Sequence, residues 1–250
     1  MDIILYNIIT GFCCLFIGYI FGSIPFAIIY GKMKDGTDIR DFGSGNAGAT
    51  NIKRKYGRKA GVIVTILDGV KTFLPLVLCY VILTYVPFGD RPLLATTEIY
   101  WTNPTANDNV IKFPIYWLSV LGVVIGHCWP IFANFKGGKG AASLICVSCC
   151  SSWLIGFLPL TCYIPLKIKS KMVSFTVLIS NAVMLVVAWT YSILFMTHVI
   201  PVDLYWLPGY GPFLNIPFYF PLTMTLVYIL VAIRHKDNIK RLIAGNERRT

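Results

Sequence analysis

Long apolar stretches alternate with short polar ones along this chain. Apolar segments run over 3–30, 61–86, 112–135, 141–165, 172–197 and 213–233. Between them lie polar loops at 31–60 and 87–111, a Gly/Lys corner closing at Gly140, a basic patch at Lys167, Lys169 and Lys171, and a Pro-rich loop around Asp203. A polar tail covers 234–250. A helix crosses the hydrocarbon in about 20 apolar residues, whereas a barrel strand needs only about 10 alternating ones. The runs are helix-sized, and lipid-facing backbone must bond internally, so the pattern predicts an all-α integral membrane protein in one polytopic domain, 1–250. The first segment lacks the basic start and small-residue cleavage pattern of a secretory signal and is predicted as a helix broken at Gly22-Ser23-Ile24-Pro25.

Composition agrees: 56% of residues are hydrophobic and 13% charged, where a soluble domain carries about 25% charged. Eight cysteines fall inside or at the edge of apolar segments, which makes them small buried hydrophobes. The Cys146-x-x-Cys149 spacing has no histidine or second pair beside it, so no metal is expected, and no cofactor or nucleic acid either.

Charge then sets orientation. The first loop holds eight Lys/Arg, the Gly/Lys corner two, the patch three and the tail six, out of 22 in the chain. The loops at 87–111 and around Asp203 hold one or none before Lys112. The positive-inside rule puts the four basic regions in the cytoplasm, with the C-terminus, and the N-terminus outside. The corner near Lys139 and the patch near Lys169 then lie on one side, yet residues 141–165 are too few to cross twice. They are predicted as two short helices turning near Ser151-Ser152, which makes about seven helical segments; the alternative is one full span with the patch outside.

The chemistry collects on that cytoplasmic side. Gly43 to Arg54 reads G-S-G-N-A-G-A-T-N-I-K-R. Glycines allow the φ > 0 turns of an anion-binding nest, Ser44, Asn46, Thr50 and Asn51 add neutral donors, and Arg54 adds a two-pronged one. A solvated turn between helices is the plainer alternative. Gly137-Gly138-Lys139-Gly140 precedes a predicted helix, whose N-terminus beside an ammonium suits phosphate, although the spacing is not that of a Walker loop. Asp68 and Lys71 share a face inside a span, either as a packing pair or as support for the site. His127 precedes the corner as a helix cap or a participant. His235 and Asn238 share a face at the start of the tail. His198 and Asp203 have acyltransferase-like spacing but fall in the outer loop, away from the basic clusters.

Four stretches, G-S-I-P-F-A, G-S-G-N-A-G-A-T-N-I-K-R, G-H-C-W-P-I-F-A-N-F-K-G-G-K-G and R-H-K-D-N-I-K-R-L-I-A-G-N-E, together resemble the bacterial acylphosphate:glycerol-3-phosphate acyltransferases of the PlsY type. The resemblance implies an enzyme of the bacterial cell membrane that moves an acyl group from acyl phosphate to the 1-hydroxyl of sn-glycerol 3-phosphate. Its partners would be those two substrates and membrane lipid. It implies that Ser44 and Arg54 bind phosphate, that Lys139 is the Gly-Gly-Lys-Gly lysine, and that His235, Asn238 and Ser174 contact substrate. Ser44, Arg54 and Lys139 are expected to be catalytic, and Gly43, Asn46, Thr50, Asn51, Gly137 and Gly138 are expected as substrate contacts from the glycine-rich stretches themselves. Asp68, Lys71 and His127 are expected as supports. The long loop at 87–111 and Asn246, often threonine in the family, depart from its pattern. A carrier-protein or acyl-CoA donor, or a transporter of phosphate substrates, stays open at this level.

Overall fold

The computed structural model describes residues 3–88, 91–92, 98–100, 110–112, 115–151, 153–197, 199 and 219–249. His198 and Asp203 lie outside the described residues. The described α-helices are α1 (Ile3–Gly22), α2 (Phe26–Asp35), α3 (Ala49–Tyr56), α4 (Arg58–Tyr85), α5 (Leu118–Cys128), α6 (Ala141–Ser151), α7 (Trp153–Ser170), α8 (Val173–Met196), α9 (Tyr219–Arg234) and α10 (Lys236–Ile243). Among the described residues four stretches are long and apolar enough to cross a bilayer: Leu5–Asp35, Arg58–Leu83, Ile115–Ala133 and Val173–Leu194. The shorter Phe220–Arg234 is also apolar. Strand occurs among them only in the polar loop, where Pro87–Phe88 pairs with Arg91–Pro92 and Glu98–Tyr100 with Val110–Lys112, both antiparallel.

The break after Gly22 comes where Pro25 cannot donate a helical N–H. Lys71 of α4 satisfies the freed Ile24 carbonyl at 2.9 Å. Outward-facing Phe12, Phe16, Ile66 and Val186 are exposed, as lipid-facing positions are. Cys14, Cys79 and Cys128 are buried as expected, but Cys13 is exposed on the outer side of α1, since two adjacent helical residues cannot both face inward.

Helices α1 and α5 meet backbone to backbone. Gly18 and Gly22 lie against Ser119 and Val123, and Gly122 and Gly126 against Leu15 and Tyr19; a Cβ at any of the four would overlap the partner's main chain. With no hydrophobic drive between helices in lipid, such close van der Waals approach is what holds a pair together. Gly122→Val is therefore expected to destabilise the protein by about 1–3 kcal/mol through overpacking. A thermal midpoint in detergent equal to that of the unaltered protein would contradict this contact.

Two cores follow. The larger gathers Tyr116, Trp117, Leu144, Met184 and Phe220 between the membrane helices. Its Trp117 and Phe220 rings meet edge to face at 5.8 Å. The smaller one, with Ile39, Ile52, Ala60 and Val64, seats the first polar loop and α3 on the start of α4.

Helix α6 ends at Ser151 and α7 starts at Trp153, where the sequence predicts the hairpin turn. The pair begins just after Lys139, and Lys167 near its far end feels the charges of Lys53 and Arg54. Both open ends of α6–α7 thus meet the same polar face. Helix α7 runs past the predicted end at 165 and takes Lys167 and Lys169 into its last turn, where cations suit the C-terminal dipole.

Candidate active site

The first loop is pinned before it reaches α3. Arg40 chelates Asp38 (Nε–Oδ1 3.0 Å, Nη2–Oδ2 2.7 Å) and donates through Nη1 to the carbonyls of Ala133 and Lys136, at 2.9 and 3.2 Å. Gly43 and Gly45 take φ of 60° and 69°, a region that favours glycine. Asn51 is 1% exposed and faces inward. Its Nδ2 donates to the carbonyls of Ile39 and Phe42 at 2.9 and 2.8 Å, and its Oδ1 accepts the Ser44 N–H at 3.2 Å. The amide expected to face substrate therefore spends both hydrogens shaping the loop. Asn46, Thr50 and the start of α3 remain on the cavity side, and so does Arg54, whose guanidinium makes no hydrogen bond among the described residues.

The Gly/Lys corner shows the same economy. Gly137 and Gly138 donate their N–H groups to the carbonyls of Cys128 and His127, at 3.3 and 2.9 Å, and their own carbonyls accept from Arg234 at 3.3 and 3.2 Å. These two glycines were expected to contact a phosphate, but the close approach of their segment to the end of α5 uses their amides. A Cβ at Gly137 would overlap the His127 carbonyl. The free donors lie one step later. Gly140, with φ 77°, turns the chain into α6, and the first N–H groups of a helix have no internal partner. Gly140, Ala141 and Ala142 line the cavity.

The tail closes the third side. His235 Nδ1 lies 2.7 Å from the Val231 carbonyl, which can only accept, so Nδ1 carries the hydrogen and Nε2 is left as an acceptor. Burial holds this imidazole down at about 4, neutral at physiological pH. One turn on, Asn238 accepts from the Lys139 ammonium through Oδ1 and donates through Nδ2 to Glu247 at 2.6 Å. Glu247 also accepts from the Ser174 hydroxyl at 2.6 Å and from Arg241 Nε at 2.8 Å. Arg248 Nη1 donates to the Gly43 carbonyl at 3.0 Å, which ties the tail to the first loop.

All three sides face one cavity of about 870 Å³. Ser44, Asn46, Thr50, Asn51, Arg54, Gly137, Lys139, Ser174, His235 and Asn238 are on its wall, as are Asp68 and His127. Gly43, Gly138 and Lys71 are not among its lining residues; Gly138 and Lys71 border a second cavity of about 10 Å³. Eight cationic side chains and five carboxylates line the large cavity, together with the N-termini of α3 and α6, whose dipoles favour an anion. The lining also includes the apolar side chains of Ile145, Val177 and Ile233 and the ring of Tyr163. Inside the bundle Asp68 and Lys71 form a buried pair at 2.8 Å, and Asp68 reaches His127 Nδ1 at 3.6 Å. Lys139 is held down to about 8, first by burial and then by the neighbouring charge of Arg241, with Glu247 opposing.

The family model described as glycerol-3-phosphate acyltransferase matches residues 12–245. The chain belongs to that family. A glycerol-3-phosphate acyltransferase of Mycoplasmopsis pulmonis is 33% identical over 92% of this chain and 88% of its own. One from Chlorobium phaeovibrioides is 32% identical, over 96% and 97%. The crystal structure of PlsY (YgiH), described as an integral membrane glycerol 3-phosphate acyltransferase in its glycerol 3-phosphate form, superposes with a TM-score of 0.66 at 25% identity. That match covers 96% of this chain and 95% of PlsY.

Within this acyltransferase fold, four side chains that organise the site were not singled out by sequence pattern: Arg40, Arg234, Glu247 and Arg248. Three are arginines within basic stretches, where a tether looks like any other surface charge. Glu247 offered one signal, a carboxylate in a tail of six cations.

Proposed function

We propose that this membrane acyltransferase moves a fatty acyl group from acyl phosphate to the 1-hydroxyl of sn-glycerol 3-phosphate, giving 1-acyl-glycerol 3-phosphate and phosphate. The observation that carries the reading is one large cavity whose lining holds two helix N-termini, Lys139 and Arg54 together with apolar Ile145, Val177 and Ile233. Two phosphates and an acyl chain are what such a cavity suits.

In this reading Ser44, Arg54 and the start of α3 form one anion station. Lys139, Ser174, Asn238 and the start of α6 form the other, and the neutral His235 Nε2 accepts from a glycerol hydroxyl. The hydroxyl oxygen attacks the acyl carbon, the carbonyl electrons move onto oxygen and return, and the carbon–oxygen bond to phosphate breaks. An acyl phosphate is already activated, so the protein mainly places the hydroxyl and stabilises the oxyanion. A phosphate oxygen takes the hydroxyl proton. The pairing of Asp68 with Lys71, and of Glu247 with Ser174, Asn238 and Arg241, supports that choice over a carboxylate base. The basic regions on the cavity side support a cytoplasmic site in a bacterial inner membrane, with an outside N-terminus and about seven membrane segments, α6–α7 forming a short hairpin.

The test uses purified protein in detergent with glycerol 3-phosphate and, in turn, palmitoyl phosphate, palmitoyl-CoA and acylated carrier protein. Product and free phosphate from the first donor alone are expected. Product from a thioester donor only would overturn the donor assignment, and binding without product would favour a transporter.

The Lys139 ammonium also sets a pH dependence. A phosphate monoester is fully dianionic above about pH 7, its second pKa being about 6. Lys139, held near 8, loses its charge as pH rises through that value. KM for glycerol 3-phosphate is expected to stay level from about pH 7 to 8, then rise about tenfold per further unit. A level KM to pH 9.5 would remove Lys139 from the anion site.

A further inference from the structure

Glycine at 138 is not required by its backbone, because its φ lies outside the left-handed region where Gly43, Gly45 and Gly140 sit. It is required by a neighbour. A Cβ built there meets Nε2, Cε1 and Cδ2 of His127 as its three nearest atoms, all closer than a real contact permits. The Gly138 N–H also bonds the His127 carbonyl at 2.9 Å, so this segment rests on one residue through both main chain and ring. Behind the ring, and not hydrogen-bonded to it, lies a buried ion pair. The ring Nδ1 lies 3.6 Å from Asp68, whose side chain is fixed by Lys71 at 2.8 Å. Lys71 in turn bonds the Ile24 carbonyl at 2.9 Å and sits over Phe26 at 5.6 Å. The space beside the ring is about 10 Å³, room for about one water.

We infer that His127 is a positioning residue: its imidazole, backed by Asp68 and Lys71, is the stop against which Gly138 rests, and it thereby sets where the next residue, Lys139, presents its ammonium. This rests on the reading of Lys139 as an anion anchor. With Nε2 against Gly138, the ring acts through the Gly137–Lys139 segment and takes no proton from substrate. The buried cluster in α4 and α5 thus transmits the position of the α1–α2 break to the phosphate site.

A double-variant cycle tests it in the full-length protein in detergent, with Gly138→Ala, His127→Ala and both together. Glycerol 3-phosphate affinity is read by thermal shift across a concentration series, and KM and kcat by phosphate release. Gly138→Ala is expected to weaken affinity and raise KM about tenfold, and removing the ring is expected to return the double variant to within about threefold of His127→Ala alone. A double variant as weak as the product of the two singles would overturn the inference. So would a His127→Ala that loses kcat with KM unchanged, the sign of a base. If His127→Ala fails to give a monodisperse protein, His127→Asn in the Gly138→Ala background takes its place under the same criterion. Unaltered protein that binds glycerol 3-phosphate but makes no product from any donor defeats the proposed reaction, while the affinity cycle still decides the role of His127.

Discussion

Replacing Lys139 with alanine is expected to lower the glycerol 3-phosphate-dependent release of phosphate by about 10³-fold or more, with kcat and KM both affected. Loss of one preorganised donor at a developing oxyanion costs about 10²–10³ in kcat. Lys139 also anchors a substrate phosphate in the proposed reading, so ground-state binding suffers as well. Two features make this the most sensitive position. The ammonium already bonds Asn238, so its loss releases a second side chain of the site. It also stands directly before the N-terminus of α6, where a cation and a helix dipole act on the same anion. Lys139→Arg is not expected to rescue, since a planar fork cannot occupy the place of a compact ammonium. Steady-state kinetics on the variants, with the thermal midpoint as a folding control, decide it. Activity within tenfold of the unaltered protein would move the anion site elsewhere.

The second large effect is expected at Glu247. Its carboxylate ties the tail to two helices, through Ser174 at the start of α8 and through Asn238 and Arg241, one turn apart in α10. Burial pushes this carboxyl up, yet the hydrogen bonds from Ser174, Asn238 and Arg241 outweigh it and hold it below the usual carboxylate range. Glu247→Ala leaves three donors without their acceptor and is expected to cost about 2–4 kcal/mol of stability. Turnover should fall about 100-fold, because Asn238 loses the partner that orients it toward Lys139. Glu247→Gln keeps one acceptor oxygen and should lie between. The lowered carboxyl also fixes a sign: its stabilisation is complete above the unfolded value, near 4.5, and is lost as pH falls through the folded one. Thermal unfolding from pH 3 to 7 checks this. A midpoint difference between unaltered protein and Glu247→Ala that persists undiminished at pH 3 would contradict it.

Much of the fold was legible because lipid removes choices. Apolar runs of 20 or more residues favour helices, and clusters of Lys and Arg carry a bias toward one side. The break at Ser151–Trp153 followed from a charge contradiction alone. The pairing of Gly18 and Gly22 with Gly122 and Gly126 did not, because two glycines four apart say nothing about a partner a hundred residues away. For the site, composition picked out stretches that come to share one cavity, but not the direction in which their polar groups face. Gly137 and Gly138 look like anion donors until the chain places their amides against α5. Asn51 looks like a substrate contact until the loop curls around it. The reach of Glu247 into a ring of donors was invisible because a carboxylate among cations reads as solvated.

The bond from Arg248 to Gly43 joins residues 205 apart in the chain. A nascent polypeptide paused after α8 could already have threaded most of its hydrophobic segments into the bilayer, yet it would hold only the Ser44–Arg54 and Lys139 sides of the cavity. His235, Asn238 and Glu247 arrive with the closing segment, so insertion and enzymatic competence become separate events in the life of the molecule. The translocon can finish much of its work on a protein that has no complete reaction chamber, and an inserted but unfinished chain would be unable to draw on the cell's glycerol phosphate.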